Sequence, residues 1–246
     1  MPSYRLTKKK TGSVCSCSVT ISVIIPTLNE ESTIDQTLAF IYASTNDGIT
    51  LEVLVVDGGS QDQTQTLVRD RARVITSAPS RAGQMNVGAR EATGDVLLFL
   101  HSDTLLPKTA FQDIRDALSD PAIIGGRFDA RTDHDTGLLW IVCRMVNLRS
   151  RLTRIATGDQ AIFVRRDVFQ SMGGYADIPL MEDIDLTRRL KTQGAIAMLQ
   201  SCVITSARRW KTDGVVYTIL LMWIFRFLFF IGIAPERLKQ LYKDIR

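Results

Sequence analysis

Cysteine and histidine are scarce in this 246-residue chain, with four of the first and two of the second. Cys15, Cys17, Cys143 and Cys202 form neither a CxxC pair nor a His-containing zinc spacing. That excludes a zinc module and a disulfide framework, and leaves reduced thiols in a cytoplasmic protein. A dominant charge of one sign is also lacking, since 30 basic and 26 acidic residues leave a net charge of +4. Aromatics make up only 7% of the chain and are not interleaved with the basic residues, so nucleic acid is excluded as a partner. No apolar core precedes Ser22, and without one the basic start does not read as a signal peptide. Residues 1–20 are expected to form a solvated basic tail with weak affinity for acidic lipid headgroups. There is no internal repeat.

What is present is an ordinary globular balance, 45% hydrophobic and 23% charged, enough for one large α/β domain with a small appendage. From Ser22 short apolar runs alternate with longer helical stretches, a pattern that predicts a mostly parallel sheet with crossover helices. Strands are predicted at Ser22–Pro26, Leu51–Asp57, Ala72–Ser77 and Asp95–Leu100, with helices over 30–44 and 81–93, the second stopped by Gly94. Further on, Gly125–Phe128 and Ala161–Val164 read as strands and Glu182–Lys191 as a helix. In such sheets ligands bind outside the carboxyl ends of the strands. Three polar clusters fall there: Thr27 to Glu30, Asp57 to Ser60, and His101 to Asp103. A single Asp at such a place is as well explained by capping; three clusters together point to a site.

SVIIPTLNEE, VDGGSQDQT, RAGQMNVGAREATGDVLLFLHSDT, GDQAIFV, MEDIDL and SARRW occur in this order along residues 22–210. The series resembles family 2 glycosyltransferases of the GT-A fold, and most of all a small bacterial branch whose metal-site strand end reads LHxDT. The resemblance implies a Rossmann-like domain over 21–210, with an apolar helical segment over 211–246. It implies transfer, with inversion, of a sugar from a UDP- or GDP-linked donor to a hydroxyl acceptor.

Departure of a nucleoside diphosphate needs positive charge near the phosphate oxygens, which a hard divalent cation, Mg²⁺ or Mn²⁺, supplies. By resemblance Asp103 is its ligand. His101 stands where the family usually has a second Asp, and an imidazole there is either a ligand or a structural histidine. The resemblance puts Pro26, Thr27, Asn29 and Glu30 around the base and ribose and Asp57 on the base edge. Arg81 and Gly83 open a helix whose amides would face the diphosphate, unless Arg81 is a plain surface charge. Asp183 matches the family's base, with Glu182 orienting the acceptor; both also suit the first turn of a helix. SARRW resembles a shortened QxxRW motif, which gives Arg208 and Arg209 to the diphosphate and Trp210 to the acceptor.

The run from Gly214 to Ala234 is nearly all apolar but carries Arg226. It is long enough to cross a bilayer of ~30 Å, yet Arg226 would be costly there. Its basic and aromatic residues also suit a helix lying on the inner membrane face, with Gly137 to Leu152 as a second contact, and both segments are equally able to pack on the domain. A lipid or isoprenoid acceptor follows from the membrane alternative. Two rivals remain. A nucleotidyltransferase would carry a Gly-rich basic loop after its first strand, which PTLNEE lacks. A non-catalytic membrane-associated protein with a degenerate transferase fold would account for His101.

Overall fold

The computed structural model describes residues 19–45, 48–134 and 137–244. The first eighteen residues of the expected tail, with Cys15 and Cys17, lie outside that set. Strand β1 (Val19–Thr27) starts where the tail was expected to continue. It pairs in parallel with β2 (Ile49–Asp57), register Thr27 to Asp57, and on its other side with β4 (Val96–Phe99), register Ile24 to Phe99. β3 (Arg73–Thr76) pairs in parallel with β2. Pro26 fits this central strand because Ile24 and Pro26 face β4, and β4 has already ended beside Ile24.

The second half brings in the antiparallel pairs of an expected mostly parallel sheet. β7 (Ile162–Arg165) runs antiparallel to both β4 and β6 (Ile123–Thr132). β8 (Ala195–Thr205) pairs in parallel with β6, and β5 (Thr104–Leu105) closes the edge antiparallel to β8. The single sheet has the order β3-β2-β1-β4-β7-β6-β8-β5.

Both faces of the first strands are buried, which explains their unbroken apolar runs. Ile21, Val23 and Ile25 pack on Ile34, Leu38 and Ile41 of α1 (Ile34–Ala43) and on Phe111 and Ile114 of α4 (Ala110–Leu118). Ile24, Leu54 and Val56 pack on Ala82, Met85 and Ala89 of α3 (Arg81–Glu91), and on that same face lie Phe169 of α6 (Arg166–Ser171) and Leu186 and Leu190 of α7 (Glu182–Gln193). A short helix α2 (Thr64–Val68) follows β2.

Two helix ends differ from expectation. α1 begins four residues late because the Glu30 and Glu31 amides donate to Thr64 and Asp62 instead of opening a helix. α3 ends at Glu91 with Ala92 extended. Gly94 is not its stop: its amide donates to Ser22 Oγ, and a Cβ there would meet the Ser22 backbone nitrogen at 2.8 Å.

α5 (Leu138–Thr153) covers β6, and three helices end the chain: α8 (Arg208–Asp213), α9 (Val215–Phe230) and α10 (Pro235–Asp244). The expected 21-residue apolar run is a 16-residue helix followed by a turn at Gly232 (φ 90°), and Pro235 opens α10 rather than merely ending the run. Among the described residues no helix is long and apolar enough to cross a membrane, which corrects the spanning alternative. Leu221 and Phe225 of α9 and Leu238 of α10 form a small core of their own, packed on Leu180 and Met181 just ahead of α7.

Candidate active site

The carboxyl ends of β1 and β2 are laced together by their own loops. Asn29, at φ 55°, donates its amide to Ser60 Oγ and accepts from the Gln61 amide on Oδ1, both at 2.9 Å. The buried Asp57 carboxylate accepts from the amides of Gly59 and Ser60 (2.9 Å each), from Gln65 Nε2 (2.7 Å) and from Ser60 Oγ. Thr27 Oγ1 is a longer fifth donor at 3.4 Å. Burial raises the Asp57 pKa, but these donors outweigh it and hold the carboxyl below its usual range. Asp57 therefore acts first as the organiser of its own turn, which a glycine at φ 93° (Gly59) completes. Gln84, which no motif singled out, locks α3 to this corner by donating to the carbonyls of Thr27 (2.8 Å) and Val56 (2.7 Å).

Charged groups converge beside that corner. Arg81, 60% exposed, stands 3.7 Å from Glu182 Oε1, and Arg208, equally exposed, stands 3.7 Å from Glu30 Oε2. Both bear on Asp103: burial pushes its carboxyl up, and the Arg208 and Arg81 charges partly offset this. The Gly83 amide is already used by Ser80, the N-cap of α3, at 3.3 Å. Trp210 lies part-buried two residues beyond Arg208, on another side of the short α8. Arg209 belongs to that helix, but its side chain lies outside the described set.

A pocket between α3, α7 and the turn before β7 is lined by Arg81, His101, Gly158, Tyr175, Glu182 and Asp183. Asp183 Oδ2 accepts the Gly158 amide at 2.6 Å, and its Oδ1 accepts from Ile184 at 2.7 Å. Burial raises the pKa of both acids. The charge of Asp183 adds to the rise at Glu182 and that of Asp159 at Asp183, while Arg81 counteracts both. Tyr175, packed edge-on against Phe99, is held well above its usual pKa by burial and then by the two acids. Burial, with the Arg81 charge, lowers His101 to about 3, so its imidazole is neutral. A Cβ on Gly158 would overlap that ring.

Among the described residues no three His, Cys, Asp or Glu side chains cluster as a metal cage. By donor type alone, the Asp103 carboxylate and the neutral His101 imidazole are groups that a cation such as Mn²⁺ accepts beside phosphate oxygens.

The family model described as Glycosyl transferase family 2 matches residues 22–171, more than half of the chain. The chain belongs to glycosyl transferase family 2. Among curated relatives of this family 2 chain is a probable glycosyltransferase, YdaM, of Bacillus subtilis, 28% identical over 71% of this chain and 47% of that one. Glucosyl-3-phosphoglycerate synthase of Mycobacterium tuberculosis is 33% identical over 37% of this chain and 31% of its own. The chain thus spans a third to a half of the length of these relatives. Among solved structures, mannosyltransferase PcManGT of Pyrobaculum calidifontis, in complex with GDP-Man and Mn²⁺, matches with TM-score 0.59 at 20% identity, over 84% of this chain and 60% of that one. TarS of S. aureus in complex with UDP gives 0.59 at 19% identity, over 76% and 60%. These likenesses establish the expected GT-A fold for this family 2 chain. The match to the family model ends before α7 and α8, where Glu182, Asp183 and Arg208 lie.

Tyr175 escaped the sequence reading, and Gln84 was visible only as part of the RAGQMNVGAREATGDVLLFLHSDT block. Tyr175 sits in an irregular GGY turn with no periodic signal, and Gln84 looks like any helical glutamine. Gly158 was visible only as part of GDQAIFV.

Proposed function

We propose that this family 2 chain transfers a sugar from a nucleoside-diphosphate donor, UDP- or GDP-linked, to an acceptor hydroxyl by direct, inverting displacement. The observation that carries the reading is Asp183. Its carboxylate is pinned by the Gly158 amide at 2.6 Å in a pocket beside Glu182 and Arg81, and burial raises its proton affinity toward that required of a general base. Asp183 takes the proton of the acceptor hydroxyl as the oxygen attacks the anomeric carbon, and Glu182 orients that hydroxyl. Thr27, Asn29, Glu30 and the turn built on Asp57 hold base and ribose, while Arg81 and Arg208 face the diphosphate.

Asp103 and His101 would hold Mn²⁺ or Mg²⁺, whose charge stabilises the departing diphosphate. Fold neighbours solved with UDP, or with GDP-Man and Mn²⁺, are in keeping with this reading. The family match disfavours a nucleotidyltransferase, and the pinned Asp183 disfavours a degenerate binding protein.

The second element of the reading is a membrane surface, on the inner face of the cell membrane. Leu138, Ile141, Met145, Leu148 and Leu152 of α5 are exposed at helical spacing, as are Val216, Leu220, Trp223, Phe227 and Phe230 of α9. Arg144 stacks on Trp140 and Arg188 on Phe230, so cations rim both stripes. A lipid-linked or isoprenoid acceptor accords with such a face.

The test uses two variants. In Asp183→Asn, calorimetric affinity for UDP or GDP with Mn²⁺ should persist while transfer falls by ~10²–10⁴-fold. In Asp103→Ala, metal-dependent affinity for the nucleoside diphosphate should vanish in a folded protein. Near-normal transfer by the first variant sinks the assigned base, and unchanged affinity in the second removes Asp103 from the metal.

A further inference from the structure

Of the polar side chains that line the Asp183 pocket, the proposed mechanism uses all but Tyr175. The turn that presents it is fixed on several sides. Its amide donates to Asn86 Oδ1 and its carbonyl accepts from Asn86 Nδ2, both at 2.9 Å. Arg189 donates to the Gly174 carbonyl at 2.7 Å and to the Met172 carbonyl at 3.1 Å. Gly174 sits at φ 75°, and a Cβ there would stand 2.6 Å from Asn86 Oδ1. Packing on Phe99 (centroids 4.9 Å apart) and Phe169 (5.7 Å) leaves Tyr175 only 3% exposed. A buried phenol ordinarily finds a partner for its O–H. Among the described residues Tyr175 Oη has none, and it is not one of the polar atoms closed off from solvent. It therefore opens on the pocket that Arg81, Glu182 and Asp183 share.

Free space in that pocket is about 10 Å³, room for one water-sized group and not for a sugar ring. Its polar walls complement a hydroxyl. Asp183 is engaged by the Gly158 and Ile184 amides, Glu182 keeps acceptor oxygens beside Arg81, and Tyr175 offers a proton that burial and the two acids hold in place. A ligand hydroxyl can donate to the acid and accept from the phenol at once. In the proposed reaction Arg81 faces the leaving diphosphate and Asp183 the attacking oxygen, and the unit that stands between them is the transferred sugar. We infer that Tyr175 is a specificity-determining residue whose Oη donates a hydrogen bond to one hydroxyl of that sugar, seated in the pocket against Glu182. The inference rests on the proposed transferase reading and adds the class of sugar, one with a free hydroxyl on the carbon that faces Tyr175. Deoxygenation there strands the phenol, and an acetamido group overfills the space.

With Mn²⁺ present, the full chain is titrated calorimetrically with UDP and GDP, with UDP-glucose, UDP-N-acetylglucosamine and GDP-mannose, and with the single-deoxy analogues of the sugar donor that binds best. At least one intact donor should bind more tightly than its bare nucleotide. Tyr175→Phe keeps the ring and should weaken that donor by about five- to ten-fold, with affinity for the bare nucleotide and Tm unchanged. One deoxy analogue, lacking the hydroxyl that reaches Tyr175, should bind the variant and the unaltered chain alike, while the others still register the substitution. Asn86→Ala, which frees the turn without lining the pocket, should reproduce this pattern and carries the test where Tyr175→Phe does not fold. Unchanged donor affinity in folded variants, an equal loss for the bare nucleotide, a loss shared by every deoxy analogue, or nucleotide binding to which no sugar adds affinity overturns the assignment and leaves the transferase reading standing. A chain that binds neither UDP nor GDP sinks that reading, and the inference with it.

Discussion

Arg81 ties two chemistries together, because its guanidinium lies beside Glu182 and also bears on Asp103, His101 and Asp183. A cation favours the charged form of a carboxyl, so its removal raises carboxyl pKa values. In Arg81→Gln the acid limb of the rate–pH profile should move to higher pH; a limb that stays in place, or moves lower, separates Arg81 from the base. The limb reports Glu182 and Asp183 as an interacting pair. Both acids are raised in the folded state, so the stability they contribute is present below the ordinary carboxylate range and lost as pH rises through the raised values. At this scale the sequence was legible as to position wherever a motif carries the residue, as with Asp103 just beyond β4 and Asp183 in the first turn of α7. It was not legible where the role comes from distant packing. Gly158 is next to Asp183 only after α7 and the turn before β7 meet, and the saturation of Asp57 by its own turn is a matter of rotamers.

Among the elements, α3 carries the most weight, since Arg81 and Gln84 both project from its first turn. Its approach to the sheet depends on Gly88, where a Cβ would stand 2.5 Å from Ile24 Cγ2 and 3.0 Å from Val56 Cγ2. Ala is favoured over Gly in a helix by ~1 kcal/mol. The overlap, against stiff β-branched side chains of central strands, costs about 1–3 kcal/mol, so packing wins. Gly88→Ala should lower Tm by several degrees in calorimetry, and a rise in Tm would show that the helix has room to shift. The strands were readable because burial on both faces leaves continuous apolar runs, as in residues 51–56. Their directions were harder, since β7 enters antiparallel through a pairing with β4 that no local pattern encodes. Helix starts failed where side chains competed for amides, as Thr64 and Asp62 do for Glu30 and Glu31.

For the whole molecule, the C-terminal helices are both a support and a surface. The inner face of α9 packs with α10 on Leu180 and Met181, so deleting it would disturb the start of α7; point changes on its outer face are the cleaner probe. Trp223 and Phe227 are 61% and 64% exposed. The unaltered chain should sediment with anionic vesicles and be partly released by high salt, which screens the rimming arginines. Trp223→Ser with Phe227→Ser should abolish sedimentation and leave Tm unchanged. Vesicle binding that survives both substitutions, or is absent from the outset, removes the membrane from the reading. Sequence alone could not decide this, because an apolar run looks the same whether its residues face a bilayer or a neighbouring helix.

Among the described residues, four other than glycine hold a positive φ: Asn29, Arg154, Ala161 and Met181. Three of them flank the cleft directly, at the end of β1, after the turn that carries Gly158, and immediately before Glu182. Each such conformation costs ~1–2 kcal/mol and persists only while its surroundings enforce it. A ligand therefore meets a rim already bent into shape, and the cost of holding it there falls on the packing of the fold and not on binding.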